Sequence, residues 1–233
     1  DNVNSTGPQS NYKVNVVNAS FNLSELDNWA GGGANSASVA LTSGQVNLNG
    51  SANQSADATG ANTQGGYQKI SLSASRVQTL TADLSMYVAT SLQAASKNLD
   101  SSEKLYLGGA SGVRAYPSSE GGGSDGYTLT AELRQKVNAQ TTVTGFYDHG
   151  HAKAFHDNTK VDGSGLNSGV APNSYALKGY GLSVAWQPEK NIDIKATLAK
   201  RIGTSPIASP SSGMDGDGTR KINRLWVGAS IAF

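Results

Sequence analysis

Apolar and polar residues alternate along most of this chain, which is the two-residue period of β-strands. The C-terminus shows it most cleanly. Leu225, Val227, Ala229, Ile231 and Phe233 point one way, and Arg224, Trp226, Gly228, Ser230 and Ala232 the other. Tyr180, Leu182, Val184 and Trp186 share a second frame, Ile192, Ile194, Ala196 and Leu198 a third, and Tyr127, Leu129, Ala131 and Leu133 a fourth. Ala82, Leu84, Met86, Val88 and Leu92 form another, as do Ile70, Leu72 and Ala74. Weaker runs cover Tyr12–Leu23, Ala37–Asn49 and Gln140–Ala152. In the first of these the apolar frame slips between Val16 and Val17, which predicts a bulge. The pattern thus predicts about nine strands of roughly 8–13 residues, longer than the ~5–6 of soluble sheets and near the ~9–11 that cross a bilayer. Glu132, Asp148, Lys178, Asp193 and Lys195 are assigned to the polar faces of these strands.

The connections alternate in length. Arg76–Thr81, Gln135–Ala139 and Pro188–Asn191 are tight, whereas Gly50–Gly65, Leu99–Gly126, Gly150–Ser174 and Gly203–Asn223 are long and rich in small polar residues. Short turns at one end and long loops at the other are the layout of outer-membrane barrels. Ser24–Ser36 breaks the pattern, being longish where a short turn belongs. The terminal alternation ending in Phe233 resembles the strand that the barrel-assembly machinery of Gram-negative bacteria reads. An all-β transmembrane antiparallel barrel is the predicted fold, in contact with outer-membrane lipid.

Composition narrows the function more than the fold. Charged residues make up 15% of the 233 residues and Gly accounts for 28 of them. A net charge of +1 argues against a nucleic-acid partner. With no cysteine, disulfides and thiolate sites are excluded. No run approaches the ~20 apolar residues of a membrane helix. Mean hydropathy of -0.37 does not speak against a barrel, whose inside is polar. Residues 1–11 lack the basic start and apolar stretch of a signal peptide.

Residues 99–134 read LDSSEKLYLGGASGVRAYPSSEGGGSDGYTLTAELR. They resemble the loop-and-strand signature of two-partner secretion transporters, the haemolysin-activator family. The matching pieces are Leu107–Gly108–Gly109, then Val113–Arg114–Ala115–Tyr116, then Glu120 with the Gly run to Gly126, then Glu132–Leu133–Arg134. Ala115 stands where the wider superfamily usually has Gly. A second match is Phe146–Tyr147–Asp148–His149–Gly150. The specific resemblance spans roughly residues 80–233, and the first eighty fit by strand pattern alone. It implies a sixteen-stranded barrel of which residues 1–233 form the C-terminal portion, with the first strand here lacking its neighbour. It implies that the 99–126 loop enters the lumen, where Arg114 is held by Asp148, a partly solvated pair worth about 1 kcal/mol or less. The implied function is translocation of a large secreted partner, haemolysin- or adhesin-like. A passive porin and a barrel-assembly factor are the alternatives.

Enzymatic chemistry finds no constellation. His149 and His151 share a strand face with His156 near, but no carboxylates stand at ligand spacing, so exposed polar residues are expected and no metal. Gly108–Gly109 and Gly121–Gly122–Gly123 lack the Lys-Ser/Thr of a phosphate loop. Asp215–Gly–Asp217–Gly–Thr219 lacks the later ligands of a calcium loop and reads as a plain loop. No cofactor is implied.

Overall fold

A computed structural model of the chain describes residues 2–4, 7–10, 12–159, 166, 172–209 and 211–232. Nine strands form one antiparallel sheet in chain order: β1 (Lys13–Asp27), β2 (Gly33–Asn47), β3 (Gly65–Thr79), β4 (Leu84–Ala95), β5 (Asp125–Lys136), β6 (Thr141–Lys153), β7 (Ser174–Glu189), β8 (Ile192–Arg201) and β9 (Asn223–Ile231). Among the described residues β1 and β9 do not pair, so the sheet has two free edges. No described helix is long and apolar enough to cross a membrane.

Register fixes two faces. The outer face carries Phe21 and Leu23 of β1, Val39 of β2, Leu72 of β3, Val88 of β4, Leu129 and Leu133 of β5, Tyr147 of β6, and Leu182 and Val184 of β7. On β8 and β9, Leu198 pairs Leu225, Ala196 pairs Val227, Ile194 pairs Ala229 and Ile192 pairs Ile231. Phe233 lies outside the described residues. The inner face carries Thr130, Glu132, Arg134, Asp148, Ser183, Thr197 and Lys195. An apolar outside and polar inside is the barrel pattern. Val227 is 70% exposed on the outer face. Val227→Arg is therefore expected to cost about 2–4 kcal/mol if that site sits near the bilayer midplane. Urea unfolding in lipid vesicles checks it, with Gly228→Arg on the inner face expected to cost less.

Three expectations need correcting. The bulge at Val16/Val17 is absent, because β1 pairs β2 without a break from Lys13 to Asp27. Val14 and Val16 instead share the inner face, and Val14 packs on a cluster of Val46, Leu48, Tyr67, Ala95 and Leu99. The long Ser24–Ser36 gap disappears too: β1 and β2 extend until residues 28–32 alone make the turn. Gly31 and Gly32 take φ of 98° and 94° there, a conformation that favours glycine. Lys178, assigned above to the polar face, is outward, on the same face as Tyr180 and opposite His149 of β6. It sits just beyond the apolar band at the long-loop end, where a lysine keeps its ammonium wet.

Candidate functional site

The 96–124 loop folds back onto the inner face of β5–β8. Its base is fastened first. The Leu99 amide donates to Ser124 Oγ at 3.0 Å, and Lys69 Nζ pairs with Glu103 Oε2 at 2.9 Å. Leu105–Tyr106 then pairs antiparallel with Gly122–Gly123, closing the segment into a finger. At the tip Val113 N–H donates to Leu107 O at 2.7 Å and Tyr116 N–H to Val113 O at 3.1 Å. Glycine is required where this winding is tightest. A Cβ on Gly112 would lie 2.1 Å from Leu107 O, one on Gly108 would lie 2.4 Å from Pro117 O, and Gly109 has φ of 124°.

The finger is packed as a protein core is packed. Leu107, Val113, Ala115 and Tyr116 are buried against Phe146 and Ala152 of β6, Tyr175 and Leu177 of β7 and Ala199 of β8. Burying Leu107 and Val113 fully contributes about 1.5–3 kcal/mol each to the docked state, and the Ala115 methyl less. Ala115 fits because β7 yields space: a Cβ on Gly179 would come 2.5 Å from the Ala115 methyl. Gly179→Ala should therefore loosen the finger, seen as faster proteolysis of the 96–124 loop. Adding Ala115→Gly should restore protection.

At the tip, Arg114 sits in a nest of acceptors. Its Nη2 lies 2.7 Å from Asp148 Oδ1, and its Nε and backbone N–H donate to Asp148 Oδ2 at 2.8 and 3.0 Å. Thr130 Oγ1 donates to Asp148 Oδ1 at 3.1 Å, which gives the carboxylate a full set of donors. Arg114 Nη1 reaches Glu132 Oε1 at 2.7 Å, and Glu132 Oε2 also binds Arg134. The guanidinium lies 3.5 Å from the Phe146 ring centroid, and Arg114 O accepts from Trp226 Nε1 of β9 at 2.8 Å. Asp148 is wholly buried and Arg114 is 5% exposed. Two guanidinium groups face two carboxylates, so the quartet is neutral, as burial demands.

Tyr116 is held separately. Arg201, at the end of β8, lies 4.2 Å above its ring centroid. Arg201 is paired with Asp215, wholly buried in the 202–222 loop, and Arg224 Nη2 lies 3.6 Å from the same carboxylate. Glu120 takes no part in the Arg114 nest. Its Oε2 accepts from Gly216 N–H at 2.8 Å, tying the finger to the 202–222 loop. Burial raises the Glu120 pKa, opposed by that N–H bond.

The sequence brought Arg114 and Asp148 forward but not Glu132 as a partner, nor Trp226, nor the Arg201–Asp215 pair. The signal for Glu132 was present: it shares the Phe146–Asp148 face once β5 and β6 are aligned Phe146 to Glu132. Asp215 lay in a segment read as a plain loop, because a contact 14 residues away with Arg201 leaves no local pattern.

The model for haemolysin secretion/activation proteins of the ShlB/FhaC/HecB type matches residues 11–172. The chain belongs to this family. The match takes in most of the first eighty residues, which the sequence pattern had tied to it only as strands. Among solved structures, CdiB from Escherichia coli superposes with a TM-score of 0.64 at 18% identity, over 94% of this chain and 37% of its own. CdiB from Acinetobacter baumannii gives 0.43 at 12% identity, over 94% and 42%. The first likeness establishes the barrel fold, and the second carries no weight. This chain spans little more than a third of the E. coli CdiB chain. No curated protein matches it. Members of the ShlB/FhaC/HecB family are outer-membrane β-barrels, and the family is one of secretion channels rather than of enzymes.

Proposed function

We propose that this chain forms the C-terminal portion of an outer-membrane pore that translocates a large secreted partner protein. In this reading the inner face lines the lumen. The 99–126 loop plugs it, and the Arg114–Asp148 pair is the latch that holds the plug. Residues Val113, Ala115 and Tyr116 seat the tip, while Gly108 and Gly109 give it the turn it needs. Leu225, Val227, Ala229 and Ile231 meet outer-membrane lipid, and together with Phe233 they make up the sequence signal read by the assembly machinery. The exported partner is a haemolysin- or adhesin-like exoprotein.

One observation carries the proposal: a loop tip joined to a strand wall by a buried, bidentate, charge-neutral ion pair. Such a pair is costly to desolvate and specific in geometry, which suits a positioning device better than a generic stabiliser. The full-length transporter, expressed with its partner in a Gram-negative host, tests it. Partner protein in the medium should fall when the latch is removed, while heat-modifiable barrel in the outer membrane persists. Unchanged export would count against the proposal.

A further inference from the structure

The outer face is uncharged through its apolar band but not beyond it. At the long-loop end, β1–β3 carry mostly neutral polar groups outward, such as Asn15, Gln45 and Gln68. The same end of β5–β8 is different. Lys178 of β7 lies opposite His149, and Lys200 of β8 lies opposite Tyr180, all outward. His151 and Lys153 continue the row on β6 to its end, where Asp125 of β5 stands opposite Lys153 and binds His156 at 2.9 Å. Neither Lys178 nor Lys200 has a carboxylate partner among the described residues. Elsewhere on the outer face the arginine is matched: Arg76, at the short-turn end, binds Asp27 at 2.6 Å. Tyr127 stacks on both His149 and His151, with ring centroids 5.6 Å apart in each case, which holds the imidazoles against the wall.

We infer that this cationic row binds the phosphate groups of the outer-leaflet glycolipid. The inference rests on the outer-membrane reading above, with the long-loop end outside. Unpaired ammonium groups directly above an apolar band meet lipid headgroups, and lysine is an effective point-charge partner for phosphate. Lys13 of β1 is also outward at this end but stands alone, whereas Lys178 and Lys200 lie on adjacent strands beside His149 and His151, which makes the site a local cluster rather than a uniform girdle. It lies on the outside of the same strands whose inner faces hold the plug. Bound glycolipid would thus brace the wall that carries Asp148.

Native mass spectrometry of the full-length transporter, extracted in mild detergent and loaded with bis-phosphorylated lipid A, tests the inference. The wild type should retain lipid A in preference to phosphatidylglycerol and to dephosphorylated lipid A. Lys178→Gln with Lys200→Gln should weaken retention about thirtyfold, a factor of roughly five for each charge. Lys190→Gln, in the turn at the opposite end, should leave it unchanged. Equal retention by the double variant, or equal retention of dephosphorylated lipid A or phosphatidylglycerol, would overturn the site. These outcomes presuppose a barrel that inserts into bilayers, so failure to insert at all would strike at the outer-membrane reading instead.

Discussion

Arg114→Ala should abolish export or reduce it by two orders of magnitude while leaving the barrel in the membrane. The sequence alone suggested a partly solvated pair with a stability effect of about 1 kcal/mol or less. The geometry raises that figure, because Asp148 is wholly buried and takes three bonds from Arg114. Breaking a buried pair by removing one partner costs about 3–5 kcal/mol. The backbone N–H bond survives truncation, so the lower end applies. The loss falls on docking of the finger, since strand pairing does not pass through Arg114. About 3 kcal/mol shifts the docked-to-undocked ratio roughly a hundredfold.

The variants should also be unequal. Arg114→Ala leaves Asp148 and Glu132 without their shared cation, although Thr130 and Arg134 still serve them. Asp148→Ala leaves Arg114 bonded to Glu132 and lying against Phe146. Asp148→Ala should therefore be the milder lesion, and the double variant little worse than Arg114→Ala, as groups acting as one unit require. Export measured by immunoblot of the medium, alongside the single-channel conductance of each purified variant, separates these cases. Additive losses would show that the two residues act apart.

The strands were legible because their code is local. A frame such as Leu225, Val227, Ala229 and Ile231 declares its face whatever it pairs with, and β9 has that face outward. Errors arose where one face is not purely apolar or polar. Val14 and Val16 looked like a frame slip because the inner face is not purely polar: Val14 packs on the Val46–Leu99 cluster at the base of the loop, while Val16 stays exposed there. Lys178 looked inward because charge was equated with lumen, whereas the rim beyond the apolar band also welcomes it. Arg114 and Asp148 were legible through a resemblance, not through spacing, since their 34-residue separation carries no periodic signal. Glu132 was placed on the inner face correctly, yet its partner needed the register of β5 on β6. The Arg201–Asp215 pair had neither aid.

Asp215→Asn should free the finger from its outer side without disarming the latch. Asp215 is wholly buried and accepts from Arg201, with Arg224 close by, so its charge holds two guanidinium groups together. A neutral amide in its place leaves Arg201 without its carboxylate, while Arg224 keeps Asp217 at 2.9 Å, so the loss falls at the lower end of the range of about 3–5 kcal/mol for an uncompensated buried charge. Arg201 also lies over Tyr116, and Gly216, next to Asp215, donates to Glu120. The 202–222 loop should therefore loosen and with it the Tyr116 side of the tip, while Arg114 remains bonded to Asp148 and Glu132. Proteolysis of the folded barrel should speed up at residues 202–222 by at least tenfold. The open state should become more frequent in bilayer recordings, yet export should persist. Asp215→Glu, which keeps the charge, should recover most of the protection. Export lost as completely as in Arg114→Ala would mean that the two anchors are one device rather than two.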